Sequence, residues 1–84
     1  MTTEPGDTCR ALGQAMDECR IEAGMSVPSL AWFVGVSPLR MRRWLRDAKK
    51  LGVDQFSDIA LALQVSLTVL LTRAEEIAGG SPAR

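Results

Sequence analysis

The stretch Val27 to Leu45, VPSLAWFVGVSPLRMRRWL, decides the fold of this chain. Ser26 stands in front of it as a helix cap, and Pro28 lies in the first turn, where a missing N–H removes no helical hydrogen bond. Leu30, Ala31 and Val34 give this helix an inward face. Gly35 stops it, because a residue without a Cβ accepts the left-handed backbone of a tight helix exit. Ser37-Pro38 starts the next helix at once, the serine as cap and the proline at the first helical position. Two helices joined by a turn of about three residues have the dimensions of a helix-turn-helix unit. On the second helix Met41, Trp44 and Leu45 cluster on one side at about 100° per residue. Leu39, Arg43 and Arg46 point the opposite way, flanked by Arg40 and Arg42.

Working outward, a first helix is expected from Asp7 or Thr8 to Gly24, with Leu12, Met16, Cys19 and Ala23 as its single apolar stripe. After the unit, Lys49 to Gly52 reads as a loop. Phe56, Ile59, Ala60 and Leu63 then form the stripe of a fourth helix, capped near Asp54. Ser66 caps a fifth, whose stripe is Leu67, Leu70, Leu71, Ala74 and Ile77 or Ala78 and which ends at Gly79-Gly80. The chain is therefore expected to be all-α: one five-helix domain over residues 8–78, with flexible tails at 1–7 and 79–84. There is no internal repeat, no low-complexity tract and no plausible strand pair.

A chain of 84 residues that is 46% hydrophobic and 24% charged has one modest core, which excludes a disordered chain or a disulfide scaffold. Its apolar runs fall short of the roughly 20 residues needed to span a bilayer, and no basic-then-apolar segment opens it, so the expected place is the cytoplasm, with no membrane association. Cys9 and Cys19 on one helix would lie about 15 Å apart along its axis, too far for a disulfide. With no histidine and no Cys-x-x-Cys pair, no metal and no cofactor is expected. Asp17, Glu18 and Glu22 read as a solvated face. No catalytic group stands out, and the chain is not expected to be an enzyme. Net charge is zero, but Arg40, Arg42, Arg43, Arg46, Lys49 and Lys50 face only Asp47 between Pro38 and Lys50. A neutral chain thus carries one strongly basic segment.

The turn Gly35-Val36-Ser37-Pro38 resembles that of the lambda-repressor-like regulators of the Cro/CI or XRE type. The resemblance runs from about Leu12 to Leu71. It includes Leu12, Met16 and Cys19-Arg20 on the first helix, and Leu63-Gln64-Val65-Ser66-Leu67, where the family often reads Leu-Gly-Val-Ser-Leu before its fifth helix. It implies a five-helix domain that binds operator DNA, usually as a homodimer. Three positions depart from the family. Trp44 is followed by Leu45 in place of a glutamate that pairs with the first-helix arginine, here Arg20. Pro38 and Leu39 replace the base-reading amides at the start of the recognition helix. Trp32 and Phe33 replace polar residues on the second helix, and periodicity turns Trp32 away from the core. Ser37-Pro38-x-x-Met41-Arg42-Arg43-Trp44 followed by Leu51-Gly52 also resembles the start of MerR-like and excisionase domains. Those continue into a β-wing, whereas the chain after Gly52 keeps a helical period.

Within that frame the helix from Pro38 to Arg46 is expected in the major groove. Arg43, at the middle of its exposed side, and Arg40, nearer its start, are the candidates for reading guanine, with Leu39 and Pro38 beside them at base edges. Arg42, Arg46, Lys49 and Lys50 are the candidates for phosphates. Ser26, with the first-turn N–H groups of its helix, offers a further anion site. The expected function is sequence-specific transcriptional regulation on a double-stranded DNA operator, as a phage-type repressor or Cro-like protein. The alternative is an antitoxin-like or excisionase-like accessory protein that also grips a protein partner through Trp32 and Phe33. A third class, an interaction domain that never binds DNA, would suit the zero net charge. Leu70, Ala74 and Ile77 are expected at a homodimer interface; the competing arrangement folds Ala74 and Ile77 back onto the first helix of the same chain.

Overall fold

The computed structural model describes residues 5–79, so the tail positions 1–4 and 80–84 lie outside the described residues. Five α-helices and a short 3-10 turn follow one another: α1 (Pro5–Glu22), α2 (Val27–Val34), α3 (Pro38–Arg46), the turn Ala48–Lys50, α4 (Val53–Leu63) and α5 (Leu67–Gly79). No strand occurs among the described residues, so the winged alternative has no counterpart here. Among them, too, no single helix is long and apolar enough to cross a membrane.

Each helix sends one side chain to the centre: Met16, Leu30, Met41, Ile59 and Leu70 are all fully buried. Burying side chains of this size stabilises the fold by about 1.5–3 kcal/mol apiece. The caps stand as the sequence suggests. Ser26 accepts a hydrogen bond from the Ser29 N–H at 3.2 Å, Ser37 from Arg40 at 3.1 Å and Ser66 from Val69 at 3.1 Å. Gly35 leaves α2 with φ +84°, and its N–H reaches back to the Ala31 and Trp32 carbonyls.

Four boundaries or faces differ from expectation. α1 begins at Pro5, so residues 5–7 extend the helix rather than the tail. It also has two working faces. Met16 and Cys19 join the main core, while Ala11 and Ala15 form a second small cluster with Ala74; Ala23 is exposed. α4 is capped by Gly52 with no side-chain bond, and Asp54 lies in its first turn, where a negative charge suits the positive end of the helix. Part of the expected loop after α3 is the 3-10 turn, held by buried Ala48.

The largest correction concerns α5. Leu70 and Ala74 are buried inside the chain, and Ile77 packs against Ala11, Ala15 and Ala74, so α5 lies on α1 of the same chain. Leu70 and Ala74 are thus covered within the chain, while Ile77 is only partly buried at the edge of the seam. Alanines at Ala11, Ala15 and Ala74 let the two helices come close. The seam is then closed by Arg73, which bonds Glu22 at 2.8 Å and lies 3.6 Å from Glu18. Two of the carboxylates expected to be merely solvated thus tie α1 to α5. Beneath them burial pushes the Cys19 thiol above its ordinary range, as expected of a packing residue.

Candidate nucleic-acid interface

The recognition-helix candidate, α3, is fixed from below and bare above. Met41, Trp44 and Leu45 anchor it in the core, and Ser37 and Pro38 set its start. Leu45 takes the position where the resemblance supplies a glutamate, and it is buried. Arg20 accordingly finds other partners. It bonds the Asp17 carboxylate at 2.8 Å and the Met25 carbonyl at 2.8 Å, closing the turn after α1.

Sequence reasoning passed over Gly13. A Cβ built there would stand 2.8 Å from the Trp44 carbonyl oxygen and 2.9 Å from that of Leu45. Those atoms are backbone and cannot swing aside, so the absence of a side chain at Gly13 lets α3 lie directly on α1. The available signal was a lone glycine inside a helical stripe, which needs a packing reason to offset its weak helix propensity.

Every charged candidate is exposed, Arg40, Arg42, Arg43, Arg46, Lys49 and Lys50, and so are Pro38, Leu39 and Ser26. Among the described residues no ion pair joins these cations to a carboxylate, whereas Arg20 and Arg73 are both paired. Helical spacing sorts α3 into two rows. Leu39, Arg42 and Arg46 form one, with Arg43 next to it; Arg40, Arg43 and Asp47 form the other. The second row lines an open cleft of about 500 Å³ with Trp44, Lys49 and Lys50. The structure thus brings Arg40 and Arg43 together with the two lysines, and leaves Arg42 and Arg46 on the other side.

Asp47 is the second residue that sequence reasoning undervalued, since it counted only as a stray acid. Its N–H donates to the Arg43 carbonyl and its carboxylate accepts from the Lys49 N–H at 2.9 Å, ending α3 and starting the 3-10 turn. It therefore aims Lys49 and Lys50 at the cleft. Six cations against this one bonded carboxylate make the face a concentrated positive surface on a chain of zero net charge.

Ser26 caps α2, and its hydroxyl also bonds that of Ser29 at 3.0 Å, so two side-chain bonds close the first turn of α2. Trp32 is 77% exposed and Phe33 61%, and their rings meet edge to face with centroids 5.3 Å apart. The outward direction read for Trp32 from periodicity is the one observed.

In fold, five helices with α2 and α3 as a helix-turn-helix, the chain resembles the lambda-repressor-like regulators. It is similar to the clp gene regulator ClgR from Corynebacterium glutamicum, with a TM-score of 0.83 and 25% identity over 86% of this chain and 77% of that one. A second ClgR structure matches with a TM-score of 0.81 and 25% identity, covering 84% of this chain and 91% of that one. The wild-type restriction-modification controller protein C.Esp1396I matches in fold, with a TM-score of 0.77 and 20% identity over 88% of this chain and 97% of that one. No protein-family model matches the sequence, and no curated protein matches it significantly.

Proposed function

We propose that the chain is a sequence-specific, double-stranded-DNA-binding transcriptional regulator acting in the cytoplasm, not an enzyme, with α3 in the major groove of its operator. The observation that carries this is the outer face of α3, where four arginines with no carboxylate partner among the described residues stand on a helix whose other side is locked into the core. The two groups of regulators that share its fold point the same way. In this arrangement Arg43 and Arg40 pair with guanine edges, Leu39 and Pro38 lie against neighbouring bases, and Arg42, Arg46, Lys49 and Lys50 neutralise phosphates. Ser26 and the Val27 N–H offer a weaker contact to a further phosphate, because Pro28 has no N–H and the Ser29 and Leu30 N–H groups bond back to Ser26. The mode proposed is repression, in the manner of a phage-type or Cro-like protein.

A homodimer belongs to the same proposal. Two α3 helices one turn of B-DNA apart would read inverted half-sites with centres about 10 bp apart. Pairing would have to use surface other than Leu70 and Ala74; Leu61, Leu67, Val69 and Leu71 are exposed apolar residues on α4 and α5.

The test is selection of bound duplexes from a random pool. The expected outcome is a single enriched motif with inverted half-sites; a pool that stays random through successive rounds contradicts the proposal.

A second reading, an antitoxin-like accessory protein that uses the same helix on DNA and also binds a protein, is favoured by the exposed Trp32 and Phe33 pair. Aromatic residues in contact on a surface are the usual anchors of protein interfaces. Trp32→Ala that left both DNA binding and regulation in the cell intact would remove it.

A further inference from the structure

We propose that Leu39 reads the C5-methyl group of a pyrimidine in the operator, so that each half-site holds a methyl-bearing pyrimidine beside the guanines taken by arginine. This rests on α3 entering the major groove. Leu39 is 60% exposed, lies in the first turn of α3 and belongs to neither core cluster. Isolated exposed leucines are common on protein surfaces. This one differs by its company, because Arg42, Arg43 and Arg46 stand three, four and seven residues further along the same helix and so share its side. A hydrated arginine face with one large apolar group set into its leading turn fits a ligand that is anionic at its edges and has an apolar spot at its floor.

The major groove is such a surface. Its walls are phosphates, and the one apolar feature on its floor is the thymine methyl, which 5-methylcytosine also carries. The rest of α3 narrows the alternatives. Its sequence, PLRMRRWLR, contains no Asn, Gln, Ser or Thr. The side chains that bond adenine twice are therefore absent, as are the short hydroxyls. Arginine for guanine and leucine for a pyrimidine methyl are what remain on this helix. Pro38, also exposed, extends the apolar surface by one position towards the helix start.

The experiment starts from the site selected in the random-pool measurement. Each thymine in a half-site is replaced in turn by deoxyuridine, which removes only the methyl, and the affinity of the wild type and of Leu39→Ala is measured for each duplex. One replacement should weaken the wild type about fourfold, the value of one buried methyl group, and should have little effect on Leu39→Ala. At that position a cytosine duplex should bind better when the cytosine carries a 5-methyl group. Whichever of thymine and 5-methylcytosine binds tighter identifies the natural source of the methyl. A scan in which no replacement weakens the wild type, or in which Leu39→Ala loses as much as the wild type, overturns the inference while leaving DNA recognition standing. Failure to select any site would instead overturn the proposed function, and this inference with it. Leu39 is exposed, so circular dichroism of Leu39→Ala should match the wild type.

Discussion

Arginine does two different things in two parts of this molecule. On the seam between α1 and α5, Arg73 is held by Glu22 and Glu18, and at the end of α1 Arg20 is held by Asp17 and the Met25 carbonyl. On the outer face of α3, Arg40, Arg42, Arg43 and Arg46 have no such partners among the described residues and stand exposed. The side-chain chemistry is the same, and the packing makes the difference. Small residues at Ala11, Ala15 and Ala74 bring α5 onto α1, so carboxylates on one helix meet a cation on the other. Among the described residues the cleft beside Arg40 and Arg43 is lined by α3, the 3-10 turn and Asp47 between them, whose carboxylate is taken by the Lys49 N–H. A formal charge of zero conceals this partition, because among the described residues Asp47 alone of the acids lines the cleft beside the α3 cations, and its carboxylate bonds the Lys49 N–H.

The largest effect is expected at the contact that holds α3 in place. Gly13→Val would push a branched side chain against the Trp44 and Leu45 carbonyl oxygens, so α3 must shift or α1 must bend. A loss of about 3 kcal/mol is expected, the upper end of the range for overpacking, together with weaker DNA binding. Denaturant unfolding checks the first and a binding titration the second. A variant as stable as the wild type would show that α3 does not lie on α1 as described.

A somewhat smaller effect, felt on DNA and not on the fold, is expected from the free arginines. Arg43→Ala should weaken binding to the selected site by about 1–3 kcal/mol and binding to random duplex much less, because it removes a base contact. Arg42→Ala should weaken both alike. Equal losses for the two variants on both DNAs would contradict the proposed roles of Arg43 at a base and Arg42 at a phosphate.

The smallest effect belongs to the paired side. Arg73→Ala removes exposed ion pairs that contribute at most about 1 kcal/mol, and should lower stability by that amount while leaving DNA affinity unchanged. If Arg73→Ala weakened DNA binding as much as Arg42→Ala, pairing would be no guide to function in this chain.

Much of this arrangement is legible in the sequence. The turn from Ser26 to Pro38 is written in residues whose local physics is nearly independent of the rest of the chain: two serine caps, a first-turn proline in each helix and a left-handed glycine. The outward face of α3 followed from Met41, Trp44 and Leu45 pointing the other way. What stayed hidden depended on contacts between distant segments. The second face of α1 is made of alanines, which carry little weight in a hydrophobic pattern, so the covering of Leu70, Ala74 and Ile77 by the same chain could not be told from covering by a second copy. Gly13 had meaning only once the backbone of α3 was known to lie above it. Asp47 looked like a stray charge because its role is to cap a 3-10 turn that no periodicity announces.

The central claim is that the cations of α3 and the following turn are reserved for phosphate and base edges. It is tested most directly by the salt dependence of binding to a random duplex. If Arg42, Arg46, Lys49 and Lys50 each neutralise one phosphate per subunit, log K should fall with log salt concentration with a slope of about −3.6 per bound chain, and Lys49→Ala with Lys50→Ala should reduce its magnitude by about 1.8. Binding that is absent at low salt, or that does not change with salt, would contradict it.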